Sequence, residues 1–299
     1  MLWNPTLVMA RYGSRRLGWG LAALGMLLVS TDSLWVRTSG ADALDIAFIV
    51  GVLSLVLYGA MAIRRSAESL ASLRADKKPL LAIGVLGAVS QLSFISAITH
   101  TEIPNVVAIV ASAPVLAAGF AWIGLRERTS PRVAVGIVLT VVGIGLVVST
   151  SVGSPNLLGD FLALIAVICF AASTVIWRRY QGMSRVVGLI LASVLLVIPT
   201  AFVANPTSLD AQALAAMLVM GLVCNPLGRL SYSYAPRYAP ASEVSLFAPV
   251  ETVAGIFWAA VFLSEYPEFI TVAGAVVVIF GMLYATVLDR RGAVAFGSD

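Results

Sequence analysis

The chain has 299 residues, 60% of them apolar and only 11% charged, with a mean hydropathy of +0.97. A soluble domain carries roughly 25% charged residues, so this chain could not cover a water-facing surface; intrinsic disorder, which needs the opposite balance, is excluded as well. Its 19 basic and 15 acidic residues leave a formal net charge of +4.

A helix that crosses a bilayer takes about 20 apolar residues. Apolar runs set against charged breaks predict ten such spans, at 17–37, 44–63, 79–99, 103–124, 132–149, 158–177, 186–203, 211–234, 240–263 and 269–288. The remaining tails, 1–16 and 289–299, are short, and no hydrophilic stretch is long enough to form a soluble domain. Pro79, Pro104 and Pro240 take first-turn positions, where the missing N–H is not needed. Asp160 and Asp210 sit in first turns, where the helix dipole favours an acid. The N-terminal tail precedes a span of full membrane length with no small-residue cleavage site after it, so it does not read as a secretory signal.

With the N-terminus placed in the cytoplasm, strict alternation puts every basic residue except Arg37 and Arg229 on the cytoplasmic side. That bias is the positive-inside rule. A missed helix would scramble it, so the reading is a multi-pass protein of the plasma membrane (the inner membrane of a bacterium) with both termini cytoplasmic. The basic balance is thus an orientation device and implies no nucleic-acid partner. Trp19, Trp35, Trp122 and Trp177 fall near span ends, where an interfacial belt places tryptophan.

The chain also repeats itself. A shift of 138 residues lays Ala97 on Ala235, Val106 on Val244, Val115 on Val253, Ala121 on Ala259, Leu125 on Leu263, Glu127 on Glu265, Gly136 on Gly274 and Gly143 on Gly281, without a gap. In both copies an apolar helix ends in Leu-x-Glu and the next helix carries two spaced glycines. The copies, 17–149 and 158–288, have five spans each. Five is odd, so they enter the membrane from opposite sides, with Glu127 cytoplasmic and Glu265 outside. Inverted repeats of this kind give many secondary transporters their two alternating states.

Residues 98–148 and 232–281, with Tyr234-Ala-Pro-Arg-Tyr238, the mid-helix Pro114-Val115 and Pro249-Val250, Leu-x-Glu and the Gly-spaced helix that follows, resemble the paired EamA domains of the drug/metabolite transporter superfamily. The second copy departs from the family pattern with Leu-Ser-Glu at 263–265, and its Pro249 lies one turn earlier than Pro114 does in the first. The resemblance implies an all-α integral membrane protein of ten helices in two inverted five-helix repeats, moving small metabolites by alternating access. Size and composition are similar to bacterial amino-acid exporters of the YddG type, which implies export of amino acids, aromatic ones included. Carriage of another metabolite or drug-like solute, or ion-coupled uptake, stays open.

Polar side chains inside spans mark the candidate site, because each is expensive there. Glu243 and Glu251 share one face of the ninth span, with Phe247 between them and Trp258 further along. Pro249 loosens that helix, and Asn225-Pro226-Leu227-Gly228-Arg229 loosens the eighth. Arg229 either locks the two helices by pairing with Glu243 or Glu251 or faces a central cavity with them, and both can hold. Gln91, with Ser90, Ser93 and Phe94, marks the middle of the third span; an amide suits an ammonium or a carboxylate without a fixed charge. The expected substrate residues are therefore Gln91, Phe94, Asn225, Arg229, Glu251 and Trp258, in a cavity lined by spans 1, 3, 4, 6, 8 and 9. Asp32, read as an outer-vestibule residue, His100, at an outer helix end, and Glu243 are the expected coupling or gate residues, and Pro114, Pro226 and Pro249 the helix breaks. Spans 5 and 10, with Gly136, Gly143, Gly274 and Gly281, read as scaffold.

Rival functions lack their residues. One histidine cannot build a paired-His zinc site, no filter-like glycine-rich loop supports a channel, and no phosphate-binding loop supports an ATP-driven pump. No catalytic residue, cofactor or metal is expected. The expected partners are a small-molecule substrate and the lipid bilayer, with monomer and homodimer both open. Few inward charges and several aromatic and amide groups suit an amphipathic zwitterion better than a polyanion, which would call for several Arg or Lys.

Overall fold

A computed structural model of the chain describes residues 5–64, 66–100, 106, 109–110, 112–127, 130–149, 157–206, 209–262 and 269–286. Among these the regular structure is entirely helical. In chain order the helices are α1 (Pro5–Val29), α2 (Asp32–Ser39), α3 (Ala43–Arg64), α4 (Ser66–Ala75), α5 (Lys77–His100), α6 (Ala113–Leu125), α7 (Pro131–Ser149), α8 (Leu157–Arg179), α9 (Arg185–Thr200), α10 (Ala211–Val219), α11 (Asn225–Tyr234), α12 (Ala241–Ser245), α13 (Ala248–Phe262) and α14 (Phe269–Thr286). Among the described residues six stretches, including Ser14–Ser39, Ala43–Arg64 and Ala211–Arg237, are long and apolar enough to cross a bilayer, and four further apolar helices are shorter. Of the regions read as tails, the first is helical from Pro5 on; the second, with Pro104, Leu263 and Glu265, lies outside the described residues.

Four predicted spans are interrupted. The first breaks at Ser30–Thr31 between α1 and α2, the fourth turns at Ser112 before α6, and the ninth turns at Leu246–Phe247 between α12 and α13. The eighth passes through a π-helical turn, Met220–Cys224, between α10 and α11. Proline explains three of these: Pro114, Pro226 and Pro249 each stand in the first turn of the helix that restarts, where an N–H is not needed. The break in the first span has no proline. There the Ser30 and Thr31 hydroxyls donate to the Leu27 and Leu28 carbonyls at 2.6 and 2.8 Å, diverting acceptors from the helix ladder.

Irregular backbone at membrane depth must find partners within the protein. At the π-helical turn α3 supplies them: Ser54 Oγ donates to the Gly221 carbonyl (3.2 Å) and Tyr58 Oη to that of Pro226 (2.9 Å).

The repeats are inverted. Arg15, at the start of the membrane-length stretch Ser14–Ser39, pairs with Glu243 of α12. Arg178 at the end of α8 pairs with Glu127 beyond α6 (2.9 Å) and donates to the Pro236 carbonyl beyond α11 (3.2 Å). Ser184, the N-cap of α9, donates its N–H to Ser72 of α4. All these termini therefore meet at one end of the bundle. The chain leaves that end along α1 and returns to it along α8, its counterpart in the second repeat; α6 returns while α12–α13 leave. Equivalent seams form from equivalent residues. Ser90 Oγ donates to the Ala166 carbonyl where α5 meets α8 (2.9 Å). The residue 138 positions after Ser90 is Gly228, where α11 meets α1 so closely that a Cβ on it would lie 3.0 Å from the Gly25 carbonyl. α7 and α14 pack chiefly on each other, with Gly136 against Gly281, outside the group that encloses the centre.

Candidate functional site

Where the interrupted helices converge, a cavity of about 90 Å³ opens, several times the ~10–15 Å³ that one water needs by the same measure. Its wall takes Asp32 from α2, Gln91 and Phe94 from α5, Phe170, Ser173 and Trp177 from α8, and Asn225, Arg229 and Tyr232 from α11, with Glu251 from α13. α9, a helix absent from the expected lining, adds Leu189 and Ala192, and among the described residues α7 and α14 contribute nothing.

The polar groups form a chain across α2, α11 and α5. Asn225 donates its amide to Asp32 Oδ2 at 2.7 Å, and Gln91 approaches Asn225 Oδ1 at 3.4 Å. Asp32, Gln91 and Asn225 are 2, 7 and 2% exposed, so these bonds are buried within the protein. Asp32 Oδ1 and Arg229 Nε are buried with no hydrogen-bond partner. Arg229 lies within Coulombic range of both Asp32 and Glu251, yet no ion pair within 4.0 Å joins it to either. The same wall carries aromatic rings, Phe170 and Tyr232 with centroids 5.0 Å apart and Phe94 three residues after Gln91 on α5.

Local folding explains why the polar groups are there. Asp32 opens α2, Asn225 opens α11 and Glu251 lies in the first turn of α13. Asp32 and Glu251 each follow a break, where the helix dipole favours an acid by roughly 0.3–1 kcal/mol; Asn225 instead follows the π-helical turn, with its own N–H bonded to the Met220 carbonyl. Discontinuous helices aimed at a central site are the general device of secondary transporters. Gln91 and Arg229 are 138 residues apart and so occupy the same position in the two repeats.

Gln91, Phe94, Asn225, Arg229 and Glu251 line one cavity, and Asp32, read from the sequence as an outer-vestibule residue, lies on the same wall. Trp258 is elsewhere: its indole donates to Ser30 Oγ at 2.9 Å, bracing the break in the first span within a cluster with Phe257 and Phe262. Glu243 does not reach Arg229. It accepts from Arg15 and from Trp19 Nε1 (3.1 Å), because the turn at Leu246–Phe247 ends the shared face expected with Glu251. His100 is exposed at the end of α5 and bonds the Ser96 carbonyl at 2.7 Å. Trp177 is not an interfacial residue but 4% exposed, and Arg185, counted with the loop charges, is 1% exposed. Sequence reasoning missed Ser30, Phe170, Tyr232 and the interior role of Trp177. The polar run Ser30-Thr31-Asp32-Ser33 inside an apolar span was the available signal for the first; aromatic residues in an apolar helix gave none for the others. Among the described residues no cluster of His, Cys, Asp and Glu fits a metal ion.

Comparison with known proteins agrees with this architecture. The chain is 26% identical over 286 residues to human solute carrier family 35 member G1, a match covering 88% of this chain and 77% of that protein. It is 24% identical over 184 residues to an uncharacterized transporter of Archaeoglobus fulgidus, covering 57% of this chain and 63% of the relative's length. A solved crystal structure, 16% identical, superposes with a TM-score of 0.76 over 92% of this chain and 98% of its own, a likeness of fold alone. The model of the EamA-like transporter family matches twice, at 16–149 and 157–287, once for each repeat. These two matches cover almost the whole of a multi-pass, two-repeat membrane protein, and the chain belongs to the EamA-like transporter family of membrane solute transporters.

Proposed function

We propose that the chain is a secondary transporter of the plasma membrane that exports amino acids, aromatic ones included, by alternating access through the central cavity. The observation that carries this reading is the pairing of opposite charges with an aromatic wall. Arg229 offers a guanidinium to a carboxylate, Asp32 and Glu251 offer acceptors to an ammonium, and Phe94, Phe170 and Tyr232 line the same cavity. An amino acid carries its two charges and its apolar side chain in that arrangement. A single guanidinium is a poor match for a polyanion, and two carboxyl groups oppose one.

The test is exchange by the purified protein in liposomes preloaded with unlabelled amino acid. Labelled amino acids, above all aromatic ones, are expected to exchange, while the same compounds N-acetylated or amidated at the carboxylate are expected to fail. A panel in which no amino acid exchanges would overturn the substrate class. Direction is read separately: cells carrying the protein are expected to release amino acid faster than cells lacking it.

A further inference from the structure

We propose that Trp177 is the barrier between the central cavity and the basic end of the bundle, and that Arg185 and Gly188 position its indole. The proposal rests on the reading of the cavity as the solute's path.

Trp177 lines the cavity, yet it stands only two residues before the end of α8 at Arg179, the end where Arg178 meets Glu127 and Pro236. Around the indole the packing is apolar. Leu80, Ile83, Met183 and Val187 close around it, none more than 3% exposed. A polar solute leaving towards this end would have to displace the ring.

Two residues of α9 hold the ring where it is. The guanidinium of Arg185 lies 4.6 Å from the indole centroid and donates to the Trp177 and Tyr180 carbonyls, 3.1 Å each. It thus closes the open end of α8 and stacks on the ring in one geometry, which lysine, a point charge without a planar fork, cannot copy. Gly188, three residues on, leaves room for the ring edge: a Cβ there would lie 2.5 Å from indole Cη2, closer than real contacts allow. The charge of Arg185 is expensive in such a place unless it is bonded; its two bonds to backbone carbonyls of α8 hold the guanidinium over the ring, and the contact with the ring itself lasts only while the indole stays put. Opening therefore needs indole and guanidinium to part.

The test uses Ser173→Cys as a reporter in a full-length chain whose Cys169 and Cys224 are replaced by Ala. Ser173 lines the cavity one helical turn before Trp177. Reconstituted protein is treated with a membrane-impermeant thiol reagent from each side in turn, the basic side being the one from which Ala71→Cys on α4 is labelled. Trp177→Ala, which removes the ring as well as its contact with Arg185, is expected to speed labelling of the reporter from the basic side by more than the roughly 10-fold that loss of a desolvated cation–π contact alone is worth, and to leave the opposite side unchanged. Arg185→Met should raise the basic-side rate by a smaller factor, with Arg185→Lys between it and the parent. Gly188→Ala, which pushes the ring aside without removing it, should act on the same side and decides the matter if Trp177→Ala does not fold. Equal acceleration from both sides would mean general loosening and would overturn the proposal, as would a basic-side rate that neither Trp177→Ala nor Gly188→Ala changes. Labelling needs no solute, so the result stands apart from the amino-acid assignment.

Discussion

Glu251 bears no hydrogen-bond or ion-pair partner within 4.0 Å among the described residues, although Arg229 and Asp32 share its cavity. That geometry separates two roles. A carboxylate that locks helices by neutralising a buried guanidinium loses about 3–5 kcal/mol when it is removed; a carboxyl group waiting for a solute loses little. Glu251→Gln is therefore expected to abolish or strongly reduce solute exchange while thermal unfolding in detergent shifts by less than ~1 kcal/mol, the usual size of a polar contact between membrane helices. A large loss of stability that Arg229→Met restores would instead assign Glu251 to locking α11 and α13. Asp32 differs because its Oδ2 already holds the Asn225 amide. It ties α2 to α11 at the two restarts, so substitution there is expected to mix stability with transport and is the poorer probe.

At the scale of helices, the sequence made some interruptions legible and hid others. Pro114, Pro226 and Pro249 announced three restarts. The hidden one, at Ser30–Thr31, arises from hydroxyls bonding the preceding turn, which in most helices merely bends them. With that break invisible in the sequence, Asp32 reads as part of one continuous helix near its outer end, whereas the break places it on the cavity wall. Glycine gives a sharper element-level test. A Cβ on Gly25 would meet the Gly228 carbonyl and the Tyr232 N–H at 2.8 Å, both backbone atoms that cannot step aside, whereas a Cβ on Gly20 of the same helix meets nothing within 4 Å. Gly20→Ala should stabilise α1 by roughly 0.5–1 kcal/mol through backbone entropy alone. Gly25→Ala should destabilise the protein and widen the α1–α11 seam, read as a lower unfolding temperature and lost exchange. Equal effects from the two substitutions would show that this seam is not set by backbone contact.

At the scale of the whole molecule, the repeat was legible because an offset of 138 residues survives in glycines and in Leu-x-Glu, positions fixed by backbone approach and helix ends. The site was only half legible, because the cavity residues diverge between the copies: Gln91 in one is Arg229 in the other. Inversion follows from an odd number of spans and is visible in the termini that meet at one end, but which end faces the cytoplasm depends on charge. Arg15, Arg178, Arg179 and Arg185 and the segment from Arg64 to Lys78 lie at that end. Basic residues flanking short loops are retained on the cytoplasmic side during insertion, so this end is expected to face inwards. Part of the basic charge has a second use, since Arg15, Arg178 and Arg185 are bonded across helices instead of free in loops; a purely structural origin of the bias therefore has to be tested. In intact cells an impermeant thiol reagent is expected to label Gly40→Cys, exposed in the left-handed turn that ends α2, and to miss Ala71→Cys until the membrane is permeabilised. Labelling of Ala71→Cys in intact cells, with Gly40→Cys protected, would turn the molecule over. The basic end would then be an outer gate, and a solute moving past Trp177 would be passing the exit side of the membrane and not the cytoplasmic one.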